Sequence, residues 1–577
     1  MGDFTLNHKD RMSHRKQQAA LACLARQGSE NPQSIEHDSY VIRFFPKQVS
    51  PLCNFVATGR GDFCGSSGAF IYKGMMGRDA LLALLDDFTV DRYNPGHFNG
   101  LFTVILKKQN RLFLLTDPLG GNRVYQNDAA GFWSSSFLAA ASASDRLTVN
   151  KQALYEYAFQ ETTYGRDTVF DQVTSLDSLK IFEFTARGPV SHDKRLDFRF
   201  EPSPRPRASL IEETVGLLRH TVRPVAGIFG DRIRTALSGG YDSRLMLALL
   251  QDSGVRPGVY VYGAPDSPDV TVARMIAKGE NFPLDHIDKG RYPAPADYPA
   301  TVEDNFYGLD GLPGEGIFDF GANMDTRRRR AGGDHMVFNG GGGEIFRNFF
   351  YLPQSPLTGG RFSIRDLISS FYARYSRSFC TDAFVESDYR DSLHDKIKCA
   401  LGAASDRLSR TEVEYAYPAF RLRYWTARDN NNNSRLGSYL TPFISYAIIR
   451  QALTIPLAAK NHGCFQADLI RAISPALAAY PSDYGYPFDR PVPAKAKIRN
   501  HLTYLRPPLL RRYSYAIQHR MRGPLRRPRS LAPALLAQVL PQETPRMSRY
   551  FKIDRIKDAA LLGRVYSLEY LLRHFGL

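Results

Sequence analysis

A short turn of small and hydroxylated residues offers chemistry that an ordinary loop does not need. The turn lies between a strand pattern and a helical pattern, and it consists of Leu237, Ser238, Gly239, Gly240, Tyr241, Asp242 and Ser243. Glycines let a backbone approach a ligand closely. Successive N–H groups in front of a helix N-terminus form a concave site for an anion. The turn therefore predicts a phosphate site, to which its two serines add hydroxyl donors.

Asp242 is the unexpected member of this turn, because a carboxylate repels a neighbouring phosphate. It fits a phosphate site if it holds a magnesium ion that bridges the phosphate groups. The turn lacks the GK[ST] ending of a Walker A loop and is not a GxGxxG dinucleotide motif. The alternative is a glycine-rich βα turn with a helix cap and no ligand.

The elements around the turn predict the sheet that positions it. Strands are expected over Arg232 to Leu237 and Gly258 to Tyr262, and helices over Ser243 to Gln251 and Val270 to Lys278. Strands that alternate with helices at this spacing indicate a parallel sheet and an α/β domain. From about residue 360 the sequence pattern is mostly helical.

The chain before this region has a different character. Apolar runs at Leu101 to Leu106 and Arg111 to Thr116 flank a polar link and predict a β-hairpin in a β-rich α+β domain. The segment Glu201 to Arg207 has three prolines and predicts a domain boundary. We therefore predict four parts: a polar extension over 1–37, a β-rich domain over 38–200, an α/β domain over 208–500 and a basic helical tail over 501–577.

Composition excludes several classes of protein. Of 577 residues, 43% are hydrophobic and 23% charged, which is typical of a globular chain and excludes a disordered or collagen-like one. None of the six cysteines forms a CxxC pair, which argues against a disulfide scaffold and a zinc site. The sequence favours isolated small core thiols, and a pairing of Cys53 with Cys64 is the alternative.

The net charge is +17, from 75 basic and 58 acidic residues. The excess concentrates at Arg327 to Arg330 and at residues 511–529, and it favours an anionic partner, with a solvated basic face as the alternative. The N-terminus has no apolar secretory segment, and no run of 18 uncharged apolar residues predicts a membrane span. We therefore expect a cytoplasmic protein.

The turn also resembles the pyrophosphate loop of the ATP pyrophosphatases, the PP-loop superfamily. Residues 96–125 (GHFNGLFTVILKKQNRLFLLTDPLGGNRVY) are similar to the class-II glutaminase-type N-terminal domain of asparagine synthetase. Val337 to Phe346 (VFNGGGGEIF) resembles the second glycine-rich, acidic strand end of that family, and Asp429 to Pro442 matches a further segment. The resemblance to the asparagine synthetase-like and β-lactam synthetase-like family covers roughly residues 39–485.

This resemblance implies an Ntn-type β-sandwich of the glutaminase type over 38–200, followed by an ATP-pyrophosphatase domain over 208–500. Such enzymes activate a carboxylate as an acyl-adenylate, release pyrophosphate, and let ammonia or an amine form an amide. ATP would lie on Ser238 to Ser243, with adenine near Tyr262 and Gly263, and Mg²⁺ on the catalytic Asp242 and Glu344. The remaining nucleotide-binding positions would be Gly340 and Gly341.

Several positions depart from the family pattern. The family's glutaminase domain starts with a cysteine nucleophile, whereas Met1 is followed here by Gly2. Its glutamine-binding Asn-Gly-Glu aligns with Lys73, Gly74 and Met75. The first of two adjacent acidic residues aligns with Gly343, which leaves only Glu344. Further family residues align with Ser438, Leu440 and Ser445, and the candidates for a pyrophosphate-facing cation are Arg471, Lys495, Lys497 and Arg499.

The sequence alone leaves three functions open. The first is an ATP-dependent ligase that acts on a small carboxylate, with a substrate site lined by Gly308 to Asp325 and no glutaminase activity. The second is a degenerate relative that serves as a binding or scaffold protein. The third is an RNA-modifying ATP pyrophosphatase, which the lack of paired cysteines disfavours, so nucleic acid is not an expected partner. A homodimer is compatible with each of them.

Overall fold

The architecture is described from a computed structural model of the chain. The structure describes residues 2–49, 54–198, 201–351, 362–540 and 545–577. Cys53, one of the two cysteines considered for a disulfide, lies outside these ranges. Cys64 is a free, buried thiol.

The N-terminal part is rich in short strands. Its helices are α1 (His14–Arg26), α2 (Gly77–Asp87), α3 (Phe137–Ser142) and α4 (Lys151–Gln160). Its strands are β1 (Phe4–His8), β2 (Gln33–His37), β3 (Tyr40–Phe44), β4 (Phe55–Ala57), β5 (Phe63–Gly68), β6 (Ile71–Tyr72), β7 (Met75–Met76), β8 (Phe98–Asn99), β9 (Phe102–Lys108), β10 (Arg111–Thr116), β11 (Tyr125–Asn127), β12 (Phe132–Ser134), β13 (Thr174–Ser175), β14 (Lys180–Thr185) and β15 (Gly188–Asp193).

Two six-stranded antiparallel sheets pack face to face in this part. Their strand orders are β13-β11-β12-β1-β3-β2 and β15-β14-β10-β9-β5-β4. Between them lies an apolar core that includes Leu6, Ile42, Ile105, Leu114 and Trp133. Helix α2 packs on the outer face of the second sheet. Helix α3 packs on the outer face of the first sheet, and α1 packs against α3. The predicted β-sandwich is therefore confirmed.

The first 37 residues are not a polar extension, so that prediction is wrong. All five residues of β1 are buried, and β1 pairs with both β12 and β3 in the middle of the first sheet. Phe4 and Leu6 alternate into the sandwich core, as a strand with one buried face requires. The polar appearance comes from the exposed residues after His8 and along one side of α1.

The C-terminal part alternates strands and helices and then becomes helical. Its strands are β16 (Ile233–Ala236), β17 (Gly258–Tyr262), β18 (Leu284–Ile287), β19 (Met336–Phe338), β20 (Phe362–Ser363), β21 (Arg407–Leu408) and β22 (Ser438–Leu440). Its helices are α5 (Arg207–Phe229), α6 (Tyr241–Asp252), α7 (Pro268–Gly279), α8 (Tyr298–Gly308), α9 (Ala322–Ala331), α10 (Ile364–Leu367), α11 (Glu386–Leu401), α12 (Arg410–Ala416), α13 (Arg423–Leu436), α14 (Tyr446–Thr454), α15 (Leu457–Lys460), α16 (Cys464–Ile473), α17 (Pro475–Ala479), α18 (Ala494–Leu505), α19 (Pro508–Arg511), α20 (Ser514–Met521), α21 (Pro533–Val539) and α22 (Ala559–His574).

A five-stranded parallel sheet forms the centre of this part, as the strand and helix spacing predicts. Its order is β18-β17-β16-β19-β22, and every adjacent pair is parallel. Counted along the chain, these strands run in the order 3-2-1-4-5. The order therefore reverses between β16 and β19, which is the position where open α/β sheets bind ligands.

Helix α13 joins the two parts through buried polar contacts. The Arg435 guanidinium pairs with the Asp3 carboxylate at 2.6 Å, and both side chains are 1% exposed. Ser29 and Ser135 donate hydroxyl hydrogen bonds to the same carboxylate. The amide of Asn431 donates to the backbone carbonyls of Arg123 and Ser135. Buried hydrogen bonds and an ion pair thus hold α13 against the N-terminal part, beside an apolar core to which both parts contribute.

The predicted basic tail over 501–577 is not one element. Helix α22 is packed into the largest apolar core through buried residues such as Leu562, Val565 and Leu568. Its Arg564 donates to the Ala158 carbonyl of α4, so this helix contacts the N-terminal part. Among the described residues, the segment from α18 to about residue 530 has the exposed, basic character expected of a tail. Among the described residues, no helix combines the length and apolarity needed to cross a membrane.

The Asp3–Arg435 pair makes a direct prediction for stability. Asp3→Asn leaves a buried guanidinium without its counter-charge, and we expect the free energy of unfolding to fall by about 3 kcal/mol or more. Denaturant unfolding followed by circular dichroism measures this. Glu36→Gln, which breaks the exposed Lys9–Glu36 pair, is the matched control and should cost less than about 1 kcal/mol.

The Asp3–Arg435 pair also makes the stability of the fold depend on pH. Burial raises the pKa of Asp3, but Arg435 and the hydrogen bonds from Ser29 and Ser135 outweigh burial and hold the pKa below its usual range. A carboxylate with a depressed pKa stabilises the fold above its unfolded-state pKa, and this contribution is lost as pH falls through the folded-state value. The stability gap between wild type and Asp3→Asn should therefore shrink below about pH 4. Equal stabilities at neutral pH would contradict this account.

Candidate functional site

The predicted phosphate turn lies at the point where the strand order of the parallel sheet reverses. Strand β16 ends at Ala236, the Leu237 N–H still pairs with the Tyr260 carbonyl at 2.8 Å, and α6 begins at Tyr241. The glycine run after β19 packs directly against the turn. The structure thus brings residues 237–243 and 339–344 together at the carboxyl edge of the sheet.

Three backbone N–H groups of the turn, those of Ser238, Gly239 and Gly240, are already paired inside the protein. The Ser238 N–H donates to the Ser243 hydroxyl at 2.9 Å, and the Gly240 N–H donates to the Ser238 hydroxyl at 3.3 Å. The Gly239 N–H donates to the Asp269 carboxylate at 2.8 Å. A carboxylate oxygen and a phosphate oxygen are equivalent acceptors for an N–H group. Asp269 therefore holds the place that a phosphate would take on this turn.

Asp242 is paired through both of its carboxylate oxygens. Arg347 donates to one oxygen at 2.7 Å, and the Gln466 amide donates to the other at 2.7 Å. Burial raises the pKa of Asp242, Arg347 opposes that rise, and the nearby Glu344 adds to it. Glu344 accepts a hydrogen bond from Tyr417 at 2.7 Å and lies 3.7 Å from the same guanidinium.

These residues do not form a magnesium site as they are arranged. Magnesium prefers an octahedron of oxygen ligands, of which a protein supplies one or two carboxylates. Here Arg347 lies between Asp242 and Glu344 and supplies the positive charge that the predicted ion would bring. Within the described ranges, no group of three or more His, Cys, Asp or Glu residues offers a metal site.

The glycine run is explained by its close approach to Asp242. A Cβ atom at Gly340 would lie 2.9 Å from the Asp242 carbonyl oxygen, and one at Gly343 would lie 2.3 Å from the Asp242 Oδ1. Position 343 therefore cannot carry the carboxylate that the resemblance leads one to expect while Asp242 keeps its present partners. Gly341 is less crowded, and its N–H donates to the Asn339 side chain at 3.0 Å.

Tyr262 and Gly263, expected beside adenine, lie at the adjoining strand end. The Lys289 ammonium lies 4.8 Å from the centre of the Tyr262 ring, and the Arg330 guanidinium lies 6.0 Å from it. The Tyr262 hydroxyl and the Arg330 Nε are buried without a hydrogen-bond partner. The Gly263 carbonyl contacts a His286 ring nitrogen at 2.8 Å.

Lys289, Arg327 and Arg330 form a cationic cluster that no sequence motif marks. Arg327 is 6% exposed and donates to Asn433 at 2.8 Å. Lys289 donates to Asn323 at 2.6 Å, so the predicted substrate-lining segment does reach this cluster. Burial lowers the pKa of Lys289. Asn339, at the start of the glycine run, donates to Tyr439 beside Arg330.

The spacing of the arginines in residues 327–330 is the sequence feature that could have predicted this cluster. Residues three apart lie on the same side of a helix. Arg327 and Arg330 are so spaced, and they point toward the sheet. Arg328 instead pairs with Asp304 at the surface, and Arg329 lies 3.7 Å from Asp285. The interpretation of this run as a solvated basic face is therefore wrong for its first and last members.

The candidates for a pyrophosphate-facing cation have other surroundings. Arg471 pairs with Asp468 at 2.7 Å. Lys495, Lys497 and Arg499 are exposed on α18. Among the described residues, Arg347 is the cation that contacts Asp242 of the turn. No motif marks Arg347, and its place three residues after Glu344 is the one indication of this role in the sequence.

The region corresponding to a glutaminase nucleophile is filled by backbone. A Cβ atom at Gly2 would lie 3.0 Å from the Arg435 carbonyl oxygen and 3.2 Å from the Pro46 carbonyl oxygen. Lys73, which stands where the family has a glutamine-binding residue, pairs with Asp87 at 2.8 Å. Burial raises the pKa of the Cys64 thiol well above its usual range, so this cysteine is not a ready nucleophile.

Comparisons with known proteins give only distant likenesses. No family model matches the chain, and no curated protein matches it. One similar solved structure is titled the allosteric regulatory enzyme of purine biosynthesis; it has 10% identity and a TM-score of 0.24, and the match covers 51% of this chain and 82% of the other. Another is glutamine phosphoribosylpyrophosphate amidotransferase from B. subtilis, with 11% identity, a TM-score of 0.24, and coverage of 56% and 96%. A TM-score of 0.24 assigns neither a fold nor an activity to this chain.

The crowding at Gly343 is testable by a single methyl group. Gly343→Ala must displace the Asp242 carboxylate from Arg347 or Gln466, and we expect a loss of about 1–3 kcal/mol in the free energy of unfolding. Gly341→Ala meets ordinary contacts and should stay within about 0.5 kcal/mol of wild type. Equal unfolding midpoints for the two variants would show that Asp242 moves without cost.

The filled Gly2 region predicts that this protein does not hydrolyse glutamine. Amide hydrolysis by a chain-start nucleophile needs a thiol or hydroxyl there, and Gly2 has neither. Restoring a thiol with Gly2→Cys should not create activity, because the side chain meets backbone atoms. The measurement is glutamate release from glutamine with and without ATP. Release above that of a boiled sample, by wild type or by the variant, would refute the prediction.

Proposed function

We propose that this protein is an ATP-dependent carbon–nitrogen ligase of the asparagine synthetase-like type. The observation that carries the proposal is the position of the SGGYDS turn, which lies before a helix N-terminus at the strand-order reversal of a parallel sheet. N–H groups in this position bind phosphate in many α/β proteins. The resemblance of the turn to PP-loops gives that general site a specific nucleotide, ATP.

The proposed reaction has two steps. In the first, a substrate carboxylate oxygen attacks the α-phosphorus of ATP, the bond to the β-phosphate breaks, and pyrophosphate leaves. In the second, the nitrogen of ammonia or an amine attacks the acyl carbon of the adenylate, AMP leaves, and the nitrogen loses a proton. The N–H groups of Ser238 to Gly240 would hold the phosphates. Arg347 would offset their negative charge.

The cationic cluster supports a carboxylate as the acid substrate. Lys289 and Arg330 place positive charge beside Tyr262. Arg327 lies next to them and is paired with the Asp429 carboxylate at 3.1 Å. The unpaired Arg330 Nε and the unpaired Tyr262 hydroxyl are buried donors, and such groups are costly to leave unsatisfied. An anionic group bound there would satisfy them and would lie beside the nucleotide.

The identity of the proposed nitrogen donor is argued from the N-terminal part, where an active glutaminase would have its nucleophile. Since Gly2 offers no nucleophile and its surroundings are filled, glutamine is not the proposed source. Free ammonia or an amine, including one within the acid substrate, remains. The β-sandwich would then act as packing for the synthetase part, to which α13 joins it.

A non-catalytic binding role is the second candidate, and a specific contact favours it. The Asp269 carboxylate accepts the Gly239 N–H, and Asp242 has both oxygens paired, so these groups have partners without a nucleotide. In the ligase proposal, Asp269 is displaced when ATP binds. In the scaffold alternative, Asp269 permanently replaces the phosphate.

ATP binding by calorimetry separates these two functions. Under the ligase proposal wild type binds ATP, and Asp269→Asn binds it on the order of tenfold more tightly, a gain of about 1.4 kcal/mol, because a competing negative charge is gone. Asp266→Asn alters a nearby exposed carboxylate and should leave the affinity unchanged. Absence of ATP binding by wild type and by Asp269→Asn would support the scaffold function.

ATP–pyrophosphate exchange then tests the chemistry. With a panel of amino acids and dicarboxylic acids, wild type should show exchange with at least one acid. Asp242→Asn should abolish it, because the carboxylate that orients Arg347 is lost. Lys289→Met should raise the KM for the acid more than the KM for ATP. Exchange by Asp242→Asn at the wild-type rate would remove this residue from the proposed mechanism.

A further inference from the structure

One surface of the C-terminal part exposes an unusual amount of apolar area. Large hydrophobic side chains that are 53–81% exposed follow one another over 24 residues of α18, α19 and α20. We call them the apolar stripe: Ile498, Leu502, Leu505, Leu509, Leu510, Tyr513, Ile517 and Met521. They are eight of the fifteen large hydrophobic residues exposed among the described residues. Contiguous exposed apolar surface marks an interaction site.

The stripe has regular helical spacing. Ile498, Leu502 and Leu505 recur at i, i+4 and i+7 and therefore share one side of α18. Ala496 and Tyr504 are buried, so the opposite side of that helix is packed against the protein. Ile517 and Met521 repeat the i, i+4 spacing on α20, where His519 is buried. The apolar residues are thus exposed on the outer sides of α18 and α20, although the inner sides of both helices are well packed.

The surroundings of the stripe are strongly basic. Residues 490–542 contain twelve lysines and arginines and not one aspartate or glutamate. Lys495, Lys497, Arg499, Arg506 and Arg520 are exposed, and no carboxylate among the described residues forms an ion pair with them. An apolar stripe between basic side chains is the pattern of helices that lie in the plane of an anionic membrane surface.

We infer that α18 to α20 dock this protein onto the surface of an anionic lipid bilayer. The stripe would enter the boundary between headgroups and acyl chains, and the basic side chains would contact the lipid headgroups. This inference is independent of the proposed ligase activity. It describes attachment from one side of a membrane, which needs no membrane-spanning helix.

Two other occupants fit the same observations less well. A second copy of this chain would bring two predominantly basic surfaces together, and like charges at an interface disfavour association. An acidic protein groove normally receives one continuous amphipathic helix. Here Pro507 and Pro508 divide the stripe between short helices whose inner faces are already packed, which leaves only an outer face for a planar surface.

Vesicle flotation with the full chain tests the inference. The protein should float with vesicles of phosphatidylcholine mixed with phosphatidylserine and not with phosphatidylcholine alone. Salt near 1 M should release most of it, because the Debye length then falls to about 3 Å. Equal flotation with both lipid mixtures, or none with either, would overturn the inference.

Paired variants separate the apolar and the electrostatic contributions. Leu502→Ser with Leu505→Ser should weaken binding at least tenfold. Lys495→Gln with Arg499→Gln should weaken it about 25-fold, since each basic residue near an anionic surface contributes about fivefold. Ile228→Ser with Met275→Ser removes exposed apolar residues elsewhere and should bind like wild type. Circular dichroism confirms that each variant is folded.

Two further outcomes would overturn the inference in favour of another partner. Size-exclusion chromatography could show a dimer that the stripe variant converts to a monomer, which would make the stripe a self-association face. Binding of an acidic amphipathic peptide, with no binding to anionic vesicles, would make it a protein-docking face.

Discussion

The ion pair between Asp3 and Arg435 is the constraint on which the joining of the two parts depends. It connects the third residue of the chain, just before β1, to the last turn of α13, and water does not reach either side chain. A buried charge that loses its partner is strongly destabilising. The two parts therefore cannot separate at this point without exposing both charges, and α13 is held in one orientation against the first sheet.

That orientation has consequences for the candidate site. The buried asparagines of α13 face both parts: Asn430 and Asn431 donate to backbone carbonyls of the N-terminal part, whereas Asn433 accepts from Arg327. Buried directional hydrogen bonds of this kind specify one arrangement more strongly than an apolar contact does. The charge of Arg327 is therefore positioned beside the sheet edge by the same helix that closes the interface.

The sequence predicts local features of this fold well. The strand over Gly258 to Tyr262 is confirmed residue for residue, and α6 begins within the predicted turn, because alternation and a glycine-rich helix start are properties of neighbouring residues. The central place of β1 was missed, since its pairing with β12 depends on residues about 130 positions away. The same reason explains why a polar N-terminus was expected where the structure has a buried strand.

The position of the candidate site was predictable from the sequence. The hydrogen-bond and ion-pair partners of its residues were not. Motif spacing places Asp242, Glu344 and the glycines at one sheet edge, and the structure brings them together. Which group satisfies each of them depends on side chains distant in sequence, and Arg347, Gln466 and Asp269 took roles that no motif marks. The cluster at Lys289 and Arg330 was not predicted for the same reason. Whether the side chains of an arginine run are buried depends on residues distant in sequence that pack against them.

The position of β1 also orders events during synthesis of the chain. Asp3 leaves the ribosome 432 residues before Arg435 does. At roughly 5–20 residues per second, the Asp3 carboxylate waits on the order of 20–90 seconds for its partner. During that interval the first sheet can form its strands while the surface that α13 later covers, including the backbone carbonyls of Gly121 and Arg123, remains hydrated. The nascent N-terminal part thus has a hydrated surface where the finished protein has buried contacts with α13. It reaches its final form only when translation has passed α13.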